Sequence, residues 1–376
     1  MAQPPDAFEQ SASVASPLWA LVAGAIERAG GWLPFDRFMA LALYAPGLGY
    51  YSNASRKFGH LPGSGSDFVT APEMSALFGQ ALAAQVGPVL QACGSGCIFE
   101  FGAGSGALAE QLLDSLDNSG IAVQHYRIID LSASLRERQA QRLARFGERV
   151  QWLDAWPEAI DGVVIGNELL DAMPVQLLHF DGDQWFERGV ALASDQADGL
   201  AWADRPTVLR PPVPGPFPPG TVTEIHPQAE AFVRSLAERL RRGLALFIDY
   251  GFPEHEYYHP QRVGGTLMCH QAHQADANPL AALGQKDITA HVNFSAMALA
   301  GQDAGLEVAG YTSQARFLLN CGLGELMEKA SLRERSMAHR LLAEHEMGEL
   351  FKVIAFSRDL PLELIGFSAG DRSHRL

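Results

Sequence analysis

The chain has 376 residues, 47% of them hydrophobic and 19% charged, with a formal net charge of −15. That apolar share is enough for a large core and excludes a chain disordered throughout. The acidic balance repels a nucleic-acid backbone, so no nucleic-acid partner is expected, and it suits a neutral or cationic substrate.

Residues 1–16 read as a polar tail, without the basic and apolar blocks of a secretory signal and without arginine. Helical periodicity runs over 17–45, with Leu18, Leu21, Val22 and Ile26 and then Phe35, Phe38, Met39 and Leu43; Pro34 suits the entry of the second helix. Residues 46–73 are broken by Pro46, Gly47, Gly49, Gly59, Pro62, Gly63 and Gly65, with Tyr50, Tyr51, Phe58 and Phe68 as aromatic anchors. A helix follows from about 74 toward Val89.

Strands and helices then alternate. Cys97–Phe101, Tyr126–Asp130, Val150–Leu153, Gly162–Gly166 and Leu244–Tyr250 read as strands, and 107–116, 134–146 and 228–242 as helices. Such alternation predicts an α/β fold with a mainly parallel, doubly wound sheet. Short strands are expected at Val175–Phe180, Trp185–Val190 and Leu200–Ala203, followed by a stiff proline-rich connector from Pro211 to Pro219. Leu306–Tyr311 and Leu350–Ser357 are strand-like, around a helical stretch over 321–346. The chain thus divides into a tail (1–16), a helical and loop extension covering the site (17–92), a main domain (93–357) with insertions at about 176–222 and 252–300, and a second tail (358–376). Cys93, Cys97, Cys269 and Cys321 lack zinc-ligand spacing and read as free thiols in a reducing compartment, and no metal is expected. No apolar run reaches the ~18 residues of a membrane span. A cytoplasmic protein is the expectation.

The first strand leads through Glu100 into Gly102, Gly104 and Gly106, and a helix follows. Glycines permit a sharp turn and close ligand approach, and the helix offers free N–H groups. Two cofactor classes use this arrangement. Gly102, Gly104 and Ala107 satisfy the permissive dinucleotide pattern. Glu100 with the three glycines satisfies the S-adenosylmethionine (SAM) pattern more fully, because an acid there repels a pyrophosphate and suits the amino end of a methionine moiety. Asp130 ends the second strand, where a carboxylate accepts ribose hydroxyls in either cofactor; it serves equally well as a cap for the next helix. Asp154, before Ala155, is placed to accept from an adenine amino group or to be a simple loop residue. Asn167, Glu168 and Asp171 follow the fourth strand, at the sheet edge where ligands bind. Two carboxylates there are costly unless they meet a cation.

These motifs together resemble the MidA family of class I SAM-dependent methyltransferases. The resemblance runs from about 30 to 357 and is carried by Leu43-Tyr-Ala-Pro-Gly-Leu-Gly-Tyr-Tyr51, Asp67-Phe-Val-Thr-Ala-Pro-Glu-Met-Ser75, the glycine turn, the Asn167-Glu168 to Pro174-Val175 run, Ile248-Asp-Tyr-Gly251, Asp287-Ile-Thr289 and Met347-Gly-Glu-Leu-Phe-Lys-Val353. The chain departs from the family in having Asp130 where glutamate is frequent and Asn293 where an acid is common. The resemblance implies a Rossmann-like fold and SAM held by Glu100, Gly102, Gly104, Gly106, Asp130, Leu131, Asp154, Ala155, Asn167 and Thr70. Mitochondrial members assemble respiratory complex I by methylating an arginine of one of its subunits, which implies a protein arginine as acceptor here. Carboxylates can hold a guanidinium in a fork, and Glu168, Asp171 and Glu73 are the candidates; His270, His273 and His291 are candidate bases in the second insertion, which has the position of a lid. An NAD-type oxidoreductase and a SAM-binding assembly protein without turnover are the alternative readings.

Overall fold

The computed structural model describes residues 16–53, 69–193, 199–271 and 274–376. Residues 1–15 of the first tail, the anchors Phe58 and Phe68 and the candidate base His273 lie outside the described residues.

The centre of the molecule is an eight-stranded sheet. Its main strands are β1 (Cys97–Phe101), β2 (His125–Ile129), β3 (Val150–Leu153), β4 (Ile160–Asn167), β5 (Leu240–Phe252), β6 (Glu307–Ser313) and β7 (Phe351–Arg358). They lie in the order β3-β2-β1-β4-β5-β7-β6. The first five are parallel, and β7 runs antiparallel between β5 and β6. A two-residue strand, Val292–Asn293, pairs with the end of β5.

Strand periodicity explains the layering. Side chains alternate between faces, and both faces here are apolar, as a covered parallel sheet requires. Ile98, Ile128, Val163, Ile165, Leu246 and Ile248 pack with the helices Ala76–Cys93 and Ala107–Asn118. Their neighbours Phe99, Phe101, Val164, Ala245 and Phe247 pack with the helices Pro227–Arg239 and Phe294–Asp303. Each such side chain contributes roughly 1.5–3 kcal/mol by burial. Gly79 lets the first helix press close: a Cβ there would lie 2.3 Å from Gln111 Cβ.

The strands expected over 176–222 form part of a second, antiparallel sheet. Trp185–Leu192 pairs with Gln176–Phe180, with Leu200–Pro206 and with Leu33–Pro34. Pro34, expected as a helix entry, therefore also ends a short strand, and the helix Phe35–Tyr44 starts immediately after it. This helix and Pro17–Arg28 cover the sheet through Leu18, Val22, Phe35, Phe38 and Leu43. The proline-rich stretch joins Leu200–Pro206 to Thr221–Ile225, the fifth strand of this sheet.

The insertion after β5 holds a third sheet, of Met268–Gln271, Gln274–Asp276 and Asp287–Thr289. Buried Glu224 ties this insertion to the second sheet: its Oε1 accepts the Thr266 and Leu267 amides at 2.8 and 3.0 Å, and its Oε2 accepts the Tyr257 hydroxyl. Residues 358–376, expected as a tail, instead pack on the main domain. Phe367 is buried against Phe317, and the Arg372 amide donates to Tyr311 O. Asn293 accepts the Ala296 amide as a helix cap, so the residue that departs from the family pattern has a local structural role.

Candidate active site

The carboxyl ends of β1, β2, β4 and β5 open into a cavity of about 1080 Å³. Its lining includes Thr70, Glu100, Gly102, Gly104, Asp130 and Leu131, and also Asn167, Glu168 and Asp171. Residues far apart in the chain thus share one space.

The glycine turn is conformationally obligatory. Gly102, Gly104 and Gly106 have φ of 66°, 55° and 81°, a region that disfavours side chains. The Gly102 amide donates to Ile129 O at 3.0 Å, fastening the turn to the neighbouring strand. Below it, buried Glu100 accepts the Tyr126 hydroxyl at 2.7 Å. Burial pushes the Glu100 carboxyl up to about 7, and the nearby Asp130 charge adds to this.

Asp130 is buried at the tip of β2, where Oδ1 accepts the Ser132 amide and Oδ2 accepts Gln139 Nε2 at 2.8 Å. Gln139 also donates to Gly104 O at 2.9 Å and accepts from the Trp152 indole. This buried glutamine links the glycine turn to Asp130, a role with no sequence motif behind it. Ser132, not Asp130, caps the following helix. Leu131 beside Asp130 is 80% exposed at the cavity rim, and Trp156 and Phe232 meet edge to face at 5.0 Å along the wall. An acid that can accept two hydroxyls, apolar and aromatic walls and a glycine cradle together fit an adenosine bearing an amino-acid tail.

Four of the expected site residues lie outside the cavity lining. The Asp154 side chain is 92% exposed and paired with Arg136, and neither it nor Ala155 is among the lining residues; the aromatic Trp156 takes that part of the wall. Glu73 is likewise outside the lining, because its Oε1 pairs with Arg142 at 2.8 Å and accepts the Ser105 hydroxyl. It docks the N-terminal extension on the glycine turn. Gly106 turns the chain into the helix without lining the cavity.

The acid turn is strained at Glu168. Glu168 has φ +52°, unusual for a residue with a side chain. Its amide donates to Ile248 O at 2.8 Å. Buried Asp249, near the end of β5, receives the next three amides on one oxygen: Leu169, Leu170 and Asp171 at 3.1, 2.8 and 3.3 Å. Asp249 thus shapes the turn that carries Glu168 and Asp171. It lies in the last part of the long strand β5, three residues before its end, where a lone acid interrupts an apolar run. Glu168 Oε1 accepts from Asn167 Nδ2 at 3.0 Å and from the Ala71 amide at 3.4 Å. Burial first, then the Asp171 charge, pushes its carboxyl up to about 8. Asp171 is raised to about 6 by burial, against a hydrogen bond from the Tyr250 hydroxyl. His291 lines the same cavity; burial pushes it down to about 4, leaving a neutral ring at pH 7. His270 also lines the cavity.

Comparison with known proteins identifies the family and the cofactor. A family model of S-adenosyl-L-methionine-dependent methyltransferases matches residues 81–312. A protein from Burkholderia thailandensis, crystallised with S-adenosyl-homocysteine, is 48% identical, with a TM-score of 0.91 and 96% of each chain covered. The mitochondrial protein arginine methyltransferase NDUFAF7 of Xenopus tropicalis is 27% identical over 368 residues, covering 86% of this chain and 81% of the relative. The Caenorhabditis elegans homologue, also named mitochondrial, is 25% identical over 361 residues, covering 85% and 80%. These relatives contradict the expected cytoplasmic location: their names place them in mitochondria, and the composition of residues 1–16 carries no chemistry that fixes a compartment. The chain belongs to the S-adenosyl-L-methionine-dependent methyltransferase family and uses SAM as its cofactor.

Proposed function

We propose that the protein transfers methyl groups from SAM to an arginine side chain of a protein substrate. The observation that carries this is the buried acid pair facing the cofactor cavity: Glu168 and Asp171, with Asp171 Oδ1 lacking a hydrogen-bond partner among the described residues. Buried carboxylates of this kind are stabilised by a cation with several donors, and a guanidinium presents five N–H groups in a plane. The named activity of the relatives supports the same acceptor. A respiratory-complex subunit is the acceptor the family resemblance favours.

SAM, when bound, supplies a methyl group on a sulfonium. Asp130 would accept its ribose hydroxyls, the Gly102–Gly104 backbone would admit its amino-acid tail, and Glu100, Asn167, Leu131 and Thr70, which line the same cavity, would complete its binding. Glu168 and Asp171 orient the acceptor nitrogen and draw positive charge away from it. The proton lost on transfer has acceptors in the same cavity: these carboxylates and the neutral His291.

Incubation of the full chain with methyl-labelled SAM and cell lysate tests the reading. Label in methylarginine after acid hydrolysis is the expected outcome. Label confined to other residues, or none, would remove the arginine assignment.

A further inference from the structure

A third acid reaches the same space from the inserted sheet. Asp287 is 3% exposed, lines the cavity and accepts the Tyr51 hydroxyl on Oδ1 at 2.9 Å. Tyr51 stacks on Tyr44 at 5.6 Å, and Tyr44 in turn donates to Ala172 O, beside Asp171. The residue that follows the Asp287 strand is also bound to the acid turn, since the Ala290 amide donates to Asp171 O at 3.0 Å. Three elements distant in sequence therefore close around one spot: the N-terminal extension, the turn after β4 and the insertion. Asp171, 5% exposed, contributes an oxygen there with no hydrogen-bond partner among the described residues. Arg340, which also lines the cavity, is engaged with Glu346.

We propose that Asp287, oriented by Tyr51, completes with Glu168 and Asp171 a subsite for the flat cationic end of the acceptor, and so selects guanidinium over uncharged groups. This rests on the arginine reading above. Its chemistry is simple. A guanidinium has donors on three sides and can meet carboxylates from two elements at once. Tyrosine rings beside it add attraction for a delocalised cation. A neutral urea of the same shape presents fewer donors and no charge, and leaves the acids unpaired.

The test uses the full chain saturated with S-adenosyl-homocysteine, with ethylguanidinium and its neutral analogue N-ethylurea as probes followed by calorimetry. Ethylguanidinium is expected to bind at least tenfold more tightly than N-ethylurea. Asp287→Asn should weaken ethylguanidinium at least tenfold, and Tyr51→Phe about threefold, with S-adenosyl-homocysteine affinity within twofold of wild type in both. That unchanged affinity certifies the fold of each variant. Equal binding of the two probes, no binding of ethylguanidinium, or wild-type affinity in Asp287→Asn would overturn the subsite. The lysate assay separates the two levels. Methylarginine formed at the wild-type rate by Asp287→Asn at limiting lysate removes the subsite alone, whereas methylarginine missing with wild type removes the acceptor reading beneath it.

Discussion

Glu168 combines three costs on one residue: a backbone in the left-handed region, a buried carboxyl and a neighbouring acid. Such combinations persist where surrounding contacts impose them and are concentrated at functional sites. Glu168→Gln keeps the shape and removes the charge. S-adenosyl-homocysteine affinity should stay within twofold, while methyl transfer falls by about a hundredfold, as for loss of an oriented charged group; full transfer would release Glu168 from its role. Titration gives a second check. The carboxyls of Glu168 and Asp171 are raised from 4.5 and 3.8 to about 8 and about 6. The folded site therefore holds protons that the unfolded chain has released, and the stability they contribute is lost as pH rises through about 6 and then about 8. Asp249, Asp287, Tyr44, Tyr51 and Tyr250 face this pair, and none of them supplies positive charge. A bound guanidinium favours the ionised acids and releases protons. Its affinity should rise between pH 6 and 8, with proton release seen by calorimetry in buffers of different ionisation enthalpy; a flat profile would contradict the assignment.

At the scale of elements, the acid turn depends on Asp249. One carboxylate oxygen receives three consecutive amides, so the end of β5 determines how the chain leaves β4. Asp249→Ala leaves those donors unsatisfied in a buried place. A loss of about 3 kcal/mol in urea unfolding is expected, together with lower transfer. Unchanged stability would show that water or another group satisfies the turn. Glu224 acts in a comparable way for the insertion, binding two of its amides and a tyrosine hydroxyl. These anchors are isolated acids in apolar or mixed strands, and a sequence marks them only through their position near a strand end or in a pattern shared with a family.

For the whole molecule, the cavity exists because layers from different parts of the chain meet over the sheet edge. The N-terminal extension is pinned to the glycine turn by the Glu73–Arg142 pair and by Ser105, and the insertion closes another side. A ligand that bridges these layers stabilises them together. S-adenosyl-homocysteine at a hundred times its dissociation constant should add about 2.7 kcal/mol to stability and raise the melting temperature. Gly104→Val, which places a β-branched residue at φ 55°, should abolish that rise while leaving a cooperative melt of the ligand-free protein. An undiminished rise in the variant would exclude the turn as the cofactor cradle.

The alternation of apolar strands and amphipathic helices was enough to locate β1 to β5 and the glycine turn, though not the two-residue parallel strand Val292–Asn293, because those features arise from near neighbours in the chain: side-chain period, cap chemistry and glycine placement. Asp130, Glu168 and Asp171 were legible for the same reason, standing just past strand ends. Folding alone decided that Asp154 faces solvent, that Glu73 pairs with Arg142, that residues after 358 pack against the core, and that Gln139 bridges the turn to Asp130. It also brought Asp287 and Tyr51, 236 positions apart, within hydrogen-bonding distance. Such pairings are set by how layers dock, and docking follows from the summed burial of whole faces, which no local stretch of residues contains.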